Sequence, residues 1–201
     1  MYKAKRLWTS DFHGEQFSLG RAFYTHLETD RDGEYFAGST QSDALVERTL
    51  PGMQAEMRSV LASLVGGSVR QRFGFCGPGV HIFPAGGKVA RDGGVVHFDV
   101  EGLTPHQIQR RKRAVSLVIM LQTPERGGGL RLWNATYRGS EFPSDSQLSS
   151  PFQTVRYFTG DALLTNSLTL HQIRPFSGNR DRISITVHAV SVDTHVWECW
   201  F

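Results

Sequence analysis

Gly93-Gly94-Val95-Val96-His97-Phe98-Asp99-Val100 reads as a strand entered from a glycine turn. Extended backbone alternates its side chains, so Val95, His97 and Asp99 share one face and Val96, Phe98 and Val100 the other. An imidazole and a carboxylate two residues apart on a strand converge on one side, as a metal ion requires of two neighbouring ligands. A third ligand must come from elsewhere. His171, inside Leu163-Leu-Thr-Asn-Ser-Leu-Thr-Leu-His-Gln-Ile-Arg-Pro175, is the natural candidate. Two histidines and one carboxylate on one face of a metal leave three adjacent positions open, the usual cage for non-haem Fe(II) that handles O2.

Around this stretch the chain has the punctuation of an all-β core. From Ser68 onward, short β-type runs separated by Gly and Pro fall at about 69–75, 79–84, 95–100, 114–121, 129–133, 153–158, 162–165, 169–173 and 182–192. Short strands at regular spacing predict a sandwich or barrel rather than a parallel α/β sheet. Two helices are expected before them. Ser42 or Asp43 can cap the first, ending near Thr49, and the second runs from about Gly52 to Leu64 behind Pro51. Met53, Met57, Val60, Leu61 and Leu64 form one apolar stripe for packing on a sheet, and Gly66-Gly67 stops the helix. Residues 1–40 read as irregular, with one or two short strands. The segments 101–112 and 135–151 read as loops long enough to cover a site.

With 201 residues, the chain is expected to form one domain. Residues 1–67 would be support, 68–192 the core and 193–201 a tail. Hydrophobic residues at 39% and charged residues at 20% are ordinary for a globular protein. No apolar run long enough to span a membrane occurs, and the basic start Met1-Tyr-Lys-Ala-Lys-Arg-Leu-Trp8 lacks a signal peptide's apolar region. Two cysteines, Cys76 and Cys199, make neither a disulfide framework nor a CxxC metal pair, so the cytoplasm is the default compartment. The net charge of +3 is concentrated in Arg110-Arg-Lys-Arg113. Nucleic-acid binders carry wider basic surfaces, so this run fits a solvated loop or a steering patch for a small anion.

The last long strand supplies a second functional pattern. In Arg182-Ile-Ser-Ile-Thr-Val-His-Ala-Val190, alternation puts Arg182, Ser184, Thr186 and His188 on one face and Ile183, Ile185, Val187 and Ala189 on the other. The apolar face packs on core; the polar face lines a cavity. An arginine in a cavity needs an anion, and its planar fork suits a carboxylate. Arg180 has the same parity, but it follows Gly178-Asn179 in a turn. Arg182 opens the Arg-x-Ser pattern and is preferred. His188, six residues beyond Arg182, is about 20 Å further along the strand and is not expected to be a ligand.

Together these features resemble the Fe(II)/2-oxoglutarate-dependent dioxygenases, in particular their small prolyl-hydroxylase-like branch. The matching stretches are His97-Phe-Asp99, Gly127-Gly-Gly-Leu-Arg-Leu-Trp133, Gly160-Asp161-Ala-Leu-Leu, His171-Gln-Ile-Arg-Pro175 and Gly178-Asn-Arg-Asp-Arg-Ile-Ser184, in the family's order over roughly residues 75–190. The resemblance implies a mainly β protein with N-terminal helices, a double-stranded β-helix (jelly roll) with Fe(II) at its mouth. It implies His97, Asp99 and His171 as metal ligands and Arg182 as the clamp for 2-oxoglutarate, with Ser184 assisting. The tyrosine or asparagine that usually helps hold the cosubstrate is not placed by the pattern. Retention of Asp99 argues against a halogenase, in which a small residue takes that position.

The implied chemistry consumes 2-oxoglutarate and O2, releases succinate and CO2, and hydroxylates or otherwise oxidises a C–H bond of a small molecule such as an amino acid or natural-product intermediate. His81 on the 79–84 strand, Arg131 and Trp133 are candidates to line the substrate pocket. Ligand histidines and Asp99 must be deprotonated, so metal affinity should fall in acid. The rival readings are an iron oxygenase that needs no 2-oxo acid and a non-catalytic metal-binding jelly-roll sensor. A homodimer is the ordinary alternative to a monomer in such folds.

Overall fold

The computed structural model describes residues 7–201; Met1–Arg6, the basic start of the chain, lie outside the described residues. In order, the elements are β1 (Thr9–Asp11), β2 (Gln16–Leu19), α1 (Phe23–Leu27), α2 (Asp32–Ala37), α3 (Ser39–Thr49), α4 (Met53–Val65), β3 (Ser68–Gln71) and β4 (Gly79–Phe83). There follow α5 (Lys88–Asp92), α6 (Pro105–Gln109), β5 (Ala114–Gln122), β6 (Arg126–Gly127), β7 (Leu130–Thr136), α7 (Asp145–Leu148) and β8 (Phe152–Val155). The chain closes with β9 (Ala162–Asn166), β10 (Thr169–Ile173), β11 (Phe176–Ser177), β12 (Arg182–Asp193) and β13 (Val196–Trp200).

β12 is the spine. Its first half pairs with β4 and its second half with β13 along one edge, while β5 runs along the other. β1, β2 and β3 extend the first edge and β9 the second, giving an eight-stranded sheet. A smaller sheet runs β10-β7-β8, and β6 pairs with β11. Jelly rolls dispose of their edges by this two-sheet arrangement.

The outward side of the large sheet explains the helices. Ile183, Ile185, Val187 and Ala189 of β12 join Val80, Ile82, Leu117 and Trp197 in one buried cluster with Met57 and Leu61 of α4 and Val46 of α3. The expected stripe on α4 therefore packs on the sheet, except that Leu64 is 50% exposed at the helix end. Gly66, at φ 67°, closes α4 in the left-handed conformation that glycine adopts without cost. Gly79 has a different role: a Cβ there would lie 2.1 Å from the Phe201 ring. Overpacking at such a site costs about 1–3 kcal/mol. Gly79→Ala is expected to lose that much stability in denaturant unfolding; a midpoint equal to wild type would show that Phe201 can move aside.

Several expectations are corrected. Ser42 and Asp43 do not cap α3, which begins earlier, at Ser39. Their side chains serve longer-range contacts: Ser42 Oγ accepts from Arg21 N–H, and Asp43 accepts from Gly77 N–H, Gln54 and Gln71. Residues 1–40 contain α1 and α2 besides two strands. Loops 101–112 and 135–151 each hold a short helix started by a reciprocal capping box, Thr104 with Gln107 and Ser144 with Gln147. Residues 193–201 are no tail. β13 pairs with both β12 and β3, and Trp200 and Phe201 are buried. Val95–Val100 forms one bridge, His97 with His171, not a regular strand. The N–H groups of Gly94, His97 and Asp99 donate to Ile173 O, His171 O and Ser167 O, so the pairing keeps no single register.

Candidate active site

His97 and His171 exchange both backbone hydrogen bonds, each at 3.0 Å. Directly paired residues of an antiparallel bridge point to the same side, so their imidazoles meet, with ring centroids 4.2 Å apart. Each ring is fixed by its own chain: His97 Nδ1 lies 2.8 Å from Val95 O and His171 Nδ1 2.9 Å from Thr169 O. A carbonyl accepts only, so both Nδ1 atoms carry a proton and both Nε2 atoms are turned inward. Ligand histidines are commonly oriented by such a second bond. Both Nε2 atoms lie 3.4 Å from Asp99 Oδ1. The three ligand atoms fall within 4.8 Å of one another.

The electrostatics follow from that convergence. Burial opposes a charged Asp99, yet His171, His188 and His97 outweigh it and hold its carboxyl well below the usual range. Burial likewise opposes a charge on His97, but Asp99 and the Val95 carbonyl push it up to about 9. The group at this point wants a cation. A divalent metal would take the place that a proton otherwise fills.

Arg182 is 2% exposed and faces the same interior. Its Nε donates to Gly128 O at 3.2 Å and its Nη1 to Ser184 Oγ at 3.4 Å. The rings of Phe83 and Tyr157 flank the guanidinium at 5.6 and 5.5 Å. No carboxylate of the described residues pairs with it, and burial accordingly lowers its pKa, opposed by Tyr157. The Tyr157 hydroxyl is itself buried without a hydrogen-bond partner. A buried cation and an orphaned hydroxyl side by side form a receptor for an anion. The glycine run explains how Gly128 reaches Arg182. A Cβ at Gly127 would sit 2.3 Å from Pro175 O, and one at Gly129 2.4 Å from Val155 O.

The family model of the 2OG-Fe(II) oxygenase superfamily matches residues 87–189, half of the chain and all three converging ligands. The chain belongs to the 2OG-Fe(II) oxygenase superfamily. Among solved structures, it resembles an N-substituted L-amino acid dioxygenase from Burkholderia ambifaria AMMD in complex with alpha-KG, with TM-score 0.57 and 9% identity over 100% of this chain and 80% of that one. AviO1 from Streptomyces viridochromogenes Tue57 matches at TM-score 0.48 and 16% identity, over 68% of this chain and 57% of that one. The chain thus spans little more than half of AviO1. A Pseudomonas putida prolyl-4-hydroxylase matches at TM-score 0.38 and 15% identity, over 94% and 82% of the two chains. No curated protein sequence matches the chain.

The superfamily's Fe(II) and 2-oxoglutarate fit what the side chains offer. Two imidazole nitrogens and one carboxylate oxygen form the donor set of a facial triad, and the unpaired Arg182 and Tyr157 suit a dicarboxylate's far end. Arg180, the alternative clamp, is exposed in the turn before β12. His81 is buried opposite Ser184, so it faces the oxygenase interior. Gln16 Nε2 lies 3.1 Å from its Nδ1, and burial, with His188 and Arg182 nearby, lowers it to about 3, leaving a neutral ring.

Arg131 and Trp133 are not brought to the site. Leu132 pairs with His171 and shares its side, so its neighbours on β7 face away. Arg131 stacks on Phe152 at 4.3 Å, and Trp133 donates its indole N–H to Leu148 O. The basic run is also elsewhere: Arg110–Arg113 line an open cavity of about 670 Å³ with His106, Asp193 and Thr194.

Three residues join the site that sequence reasoning did not place there. Tyr157 lies beyond the end of β8, where a turn pinned by Phe158 N–H on Asp161 sets its direction. His188 is 3.8 Å from Asp99 Oδ2. The strand distance from Arg182 is real, but His97, Asp99 and His171 lie over the His188 half of β12, not over Arg182. Ser116, paired with His188 across β5, lies between them. Strand parity on β12 was the available signal for His188.

Proposed function

We propose that this chain is an Fe(II)/2-oxoglutarate-dependent oxygenase that hydroxylates, or otherwise oxidises, an unactivated C–H bond of a small molecule such as an amino acid or natural-product intermediate. The observation that carries this reading is Arg182, a 2%-exposed guanidinium without an acidic partner, facing the interior onto which His97, Asp99 and His171 converge. His97, Asp99 and His171 would hold Fe(II) through Nε2, Oδ1 and Nε2. Arg182 would bind the distal carboxylate of 2-oxoglutarate, with Ser184 and Tyr157 completing its hydrogen bonds. When bound, Fe(II) supplies O2 activation driven by decarboxylation of 2-oxoglutarate to succinate. The chain's own contribution is orientation. Nδ1–H bonds keep both imidazoles aimed, three ligands leave three positions free, and the rings of buried Phe83 and half-buried Tyr157 shield the clamp from water.

His81 is the residue we assign to the inner wall beside the cosubstrate, as a neutral ring held by Gln16. A small substrate suits the Burkholderia neighbour, named for N-substituted L-amino acids. No helix of the described residues is long and apolar enough to cross a membrane. Cys76 and Cys199 are buried free thiols that burial pushes up to about 11 and about 12, which suits a reducing cytoplasm.

The test is anaerobic addition of Fe(II) and 2-oxoglutarate to the apo protein. A visible metal-to-ligand charge-transfer band is expected, followed on O2 admission by succinate release that rises with the right member of a metabolite panel. Absence of the band at saturating 2-oxoglutarate would overturn the proposal.

A further inference from the structure

We infer that Ser116 and His188 are positioning residues for Asp99: they tie its Oδ2 into the protein so that only Oδ1 meets the metal. The inference rests on the metal centre proposed above. Its basis is a chain of short contacts on the inner face of β5 and β12. Ser116 Oγ lies 2.5 Å from Asp99 Oδ2, 3.0 Å from His188 Nδ1 and 3.0 Å from Ser167 Oγ. An ionised carboxylate only accepts, so the Ser116 hydroxyl donates to it. With its one proton spent, Ser116 Oγ accepts from both other neighbours, which places a proton on His188 Nδ1 and turns the Ser167 hydroxyl toward Ser116. Ser116 Oγ, Asp99 Oδ2, Ser167 Oγ and His188 Nδ1 are then each paired. Ser116 and Ser167 are each 2% exposed, a setting in which unpaired hydroxyls would be costly.

The two oxygens of Asp99 therefore have separate duties. Oδ1 is the one 3.4 Å from both ligand nitrogens. Oδ2 points the other way, to a charge-assisted bond in the closed interior. The backbone is held as well, since Asp99 N–H donates to Ser167 O at 2.9 Å. A carboxylate free to rotate would present both oxygens to a cation and close one of the three positions that a facial triad must leave open. Ser116 prevents that swing, and His188 fixes Ser116.

The test uses apo protein and Mn(II) alone, with free Mn(II) read by electron paramagnetic resonance, so that neither 2-oxoglutarate nor turnover enters. Loss of an outer partner of a metal ligand costs about 10–100-fold in affinity. Ser116→Ala is expected to weaken Mn(II) binding by that factor and to change the d–d absorption of the Co(II)-loaded protein, with Ser116→Thr restoring both. Wild-type affinity and Co(II) spectrum in Ser116→Ala, while Asp99→Ala binds no Mn(II), would overturn the inference and leave the metal centre standing. Unchanged binding in Asp99→Ala would instead overturn the metal centre itself. Should Ser116→Ala not fold, His188→Asn and His188→Leu decide. Asparagine keeps a polar atom near the Nδ1 position and should retain affinity that leucine loses; equal affinities would overturn the inference.

Discussion

His171→Ala is expected to leave a folded protein with at least roughly 100-fold weaker metal binding, beyond the loss ascribed to outer partners, and with no charge-transfer band or succinate release. The fold should survive because what His171 contributes to the sheet is its backbone, through the paired bonds to His97, and alanine keeps both. Its imidazole faces inward, 7% exposed, where it meets the Thr169 carbonyl two residues back and Asp99 Oδ1. With the ring gone, two ligands remain and Asp99 loses its largest favourable electrostatic neighbour. Mn(II) titration, with circular dichroism of the apo variant alongside, separates metal loss from unfolding. A charge-transfer band of wild-type intensity in His171→Ala would remove this residue from the metal centre.

Arg182→Ala has the second large effect, and its sign differs between apo and loaded protein. Removing one partner of a buried ion pair costs about 3–5 kcal/mol, or roughly 100- to 4000-fold in affinity at 1.4 kcal/mol per decade. The dissociation constant for 2-oxoglutarate should rise by that factor while Mn(II) affinity stays at the wild-type value. In the apo protein the same guanidinium is a desolvated cation with no acid beside it. Its removal should leave apo stability unchanged or raised. Arg182→Lys should recover only part of the affinity, since an ammonium cannot meet a carboxylate with two parallel bonds. Differential scanning calorimetry with and without 2-oxoglutarate measures both halves. Unimpaired cosubstrate binding in Arg182→Ala would move the anion site elsewhere and favour an iron oxygenase that needs no 2-oxo acid.

The convergence of His97, Asp99 and His171 and the inward placement of Arg182 are legible because each depends on short-range rules. Parity along extended chain sets His97 with Asp99, and Arg182 with Ser184. Parity also puts His188 on the inner face, but its distance from Arg182 does not say that Asp99 is its neighbour. Identifying that neighbour requires knowing where β5 and the 95–100 segment cross β12, which is tertiary information. Tyr157 stayed hidden because a turn, not a strand, aims it. Arg131 and Trp133 face away from the site because they flank Leu132 on β7; which side of β7 is the inside follows only from Leu132 lying across from His171. The terminal strand β13 escaped notice because its neighbours in the sheet, β3 and β12, are not both adjacent in sequence.

β12 interleaves the two needs of the molecule residue by residue. Even-numbered side chains from Arg182 to His188 face the proposed reaction chamber, and the odd-numbered ones between them bond the sheet to the helical layer. Cohesion and chemistry therefore share a single frame of alignment. A one-residue deletion ahead of Arg182 would invert both faces at once, burying a guanidinium among leucines and methionines and turning isoleucines toward the metal. Point substitutions behave in the opposite way. Repacking the odd-numbered set tunes durability while the chamber stays untouched, so this enzyme's robustness and its reactivity can drift independently, provided that the alignment never slips.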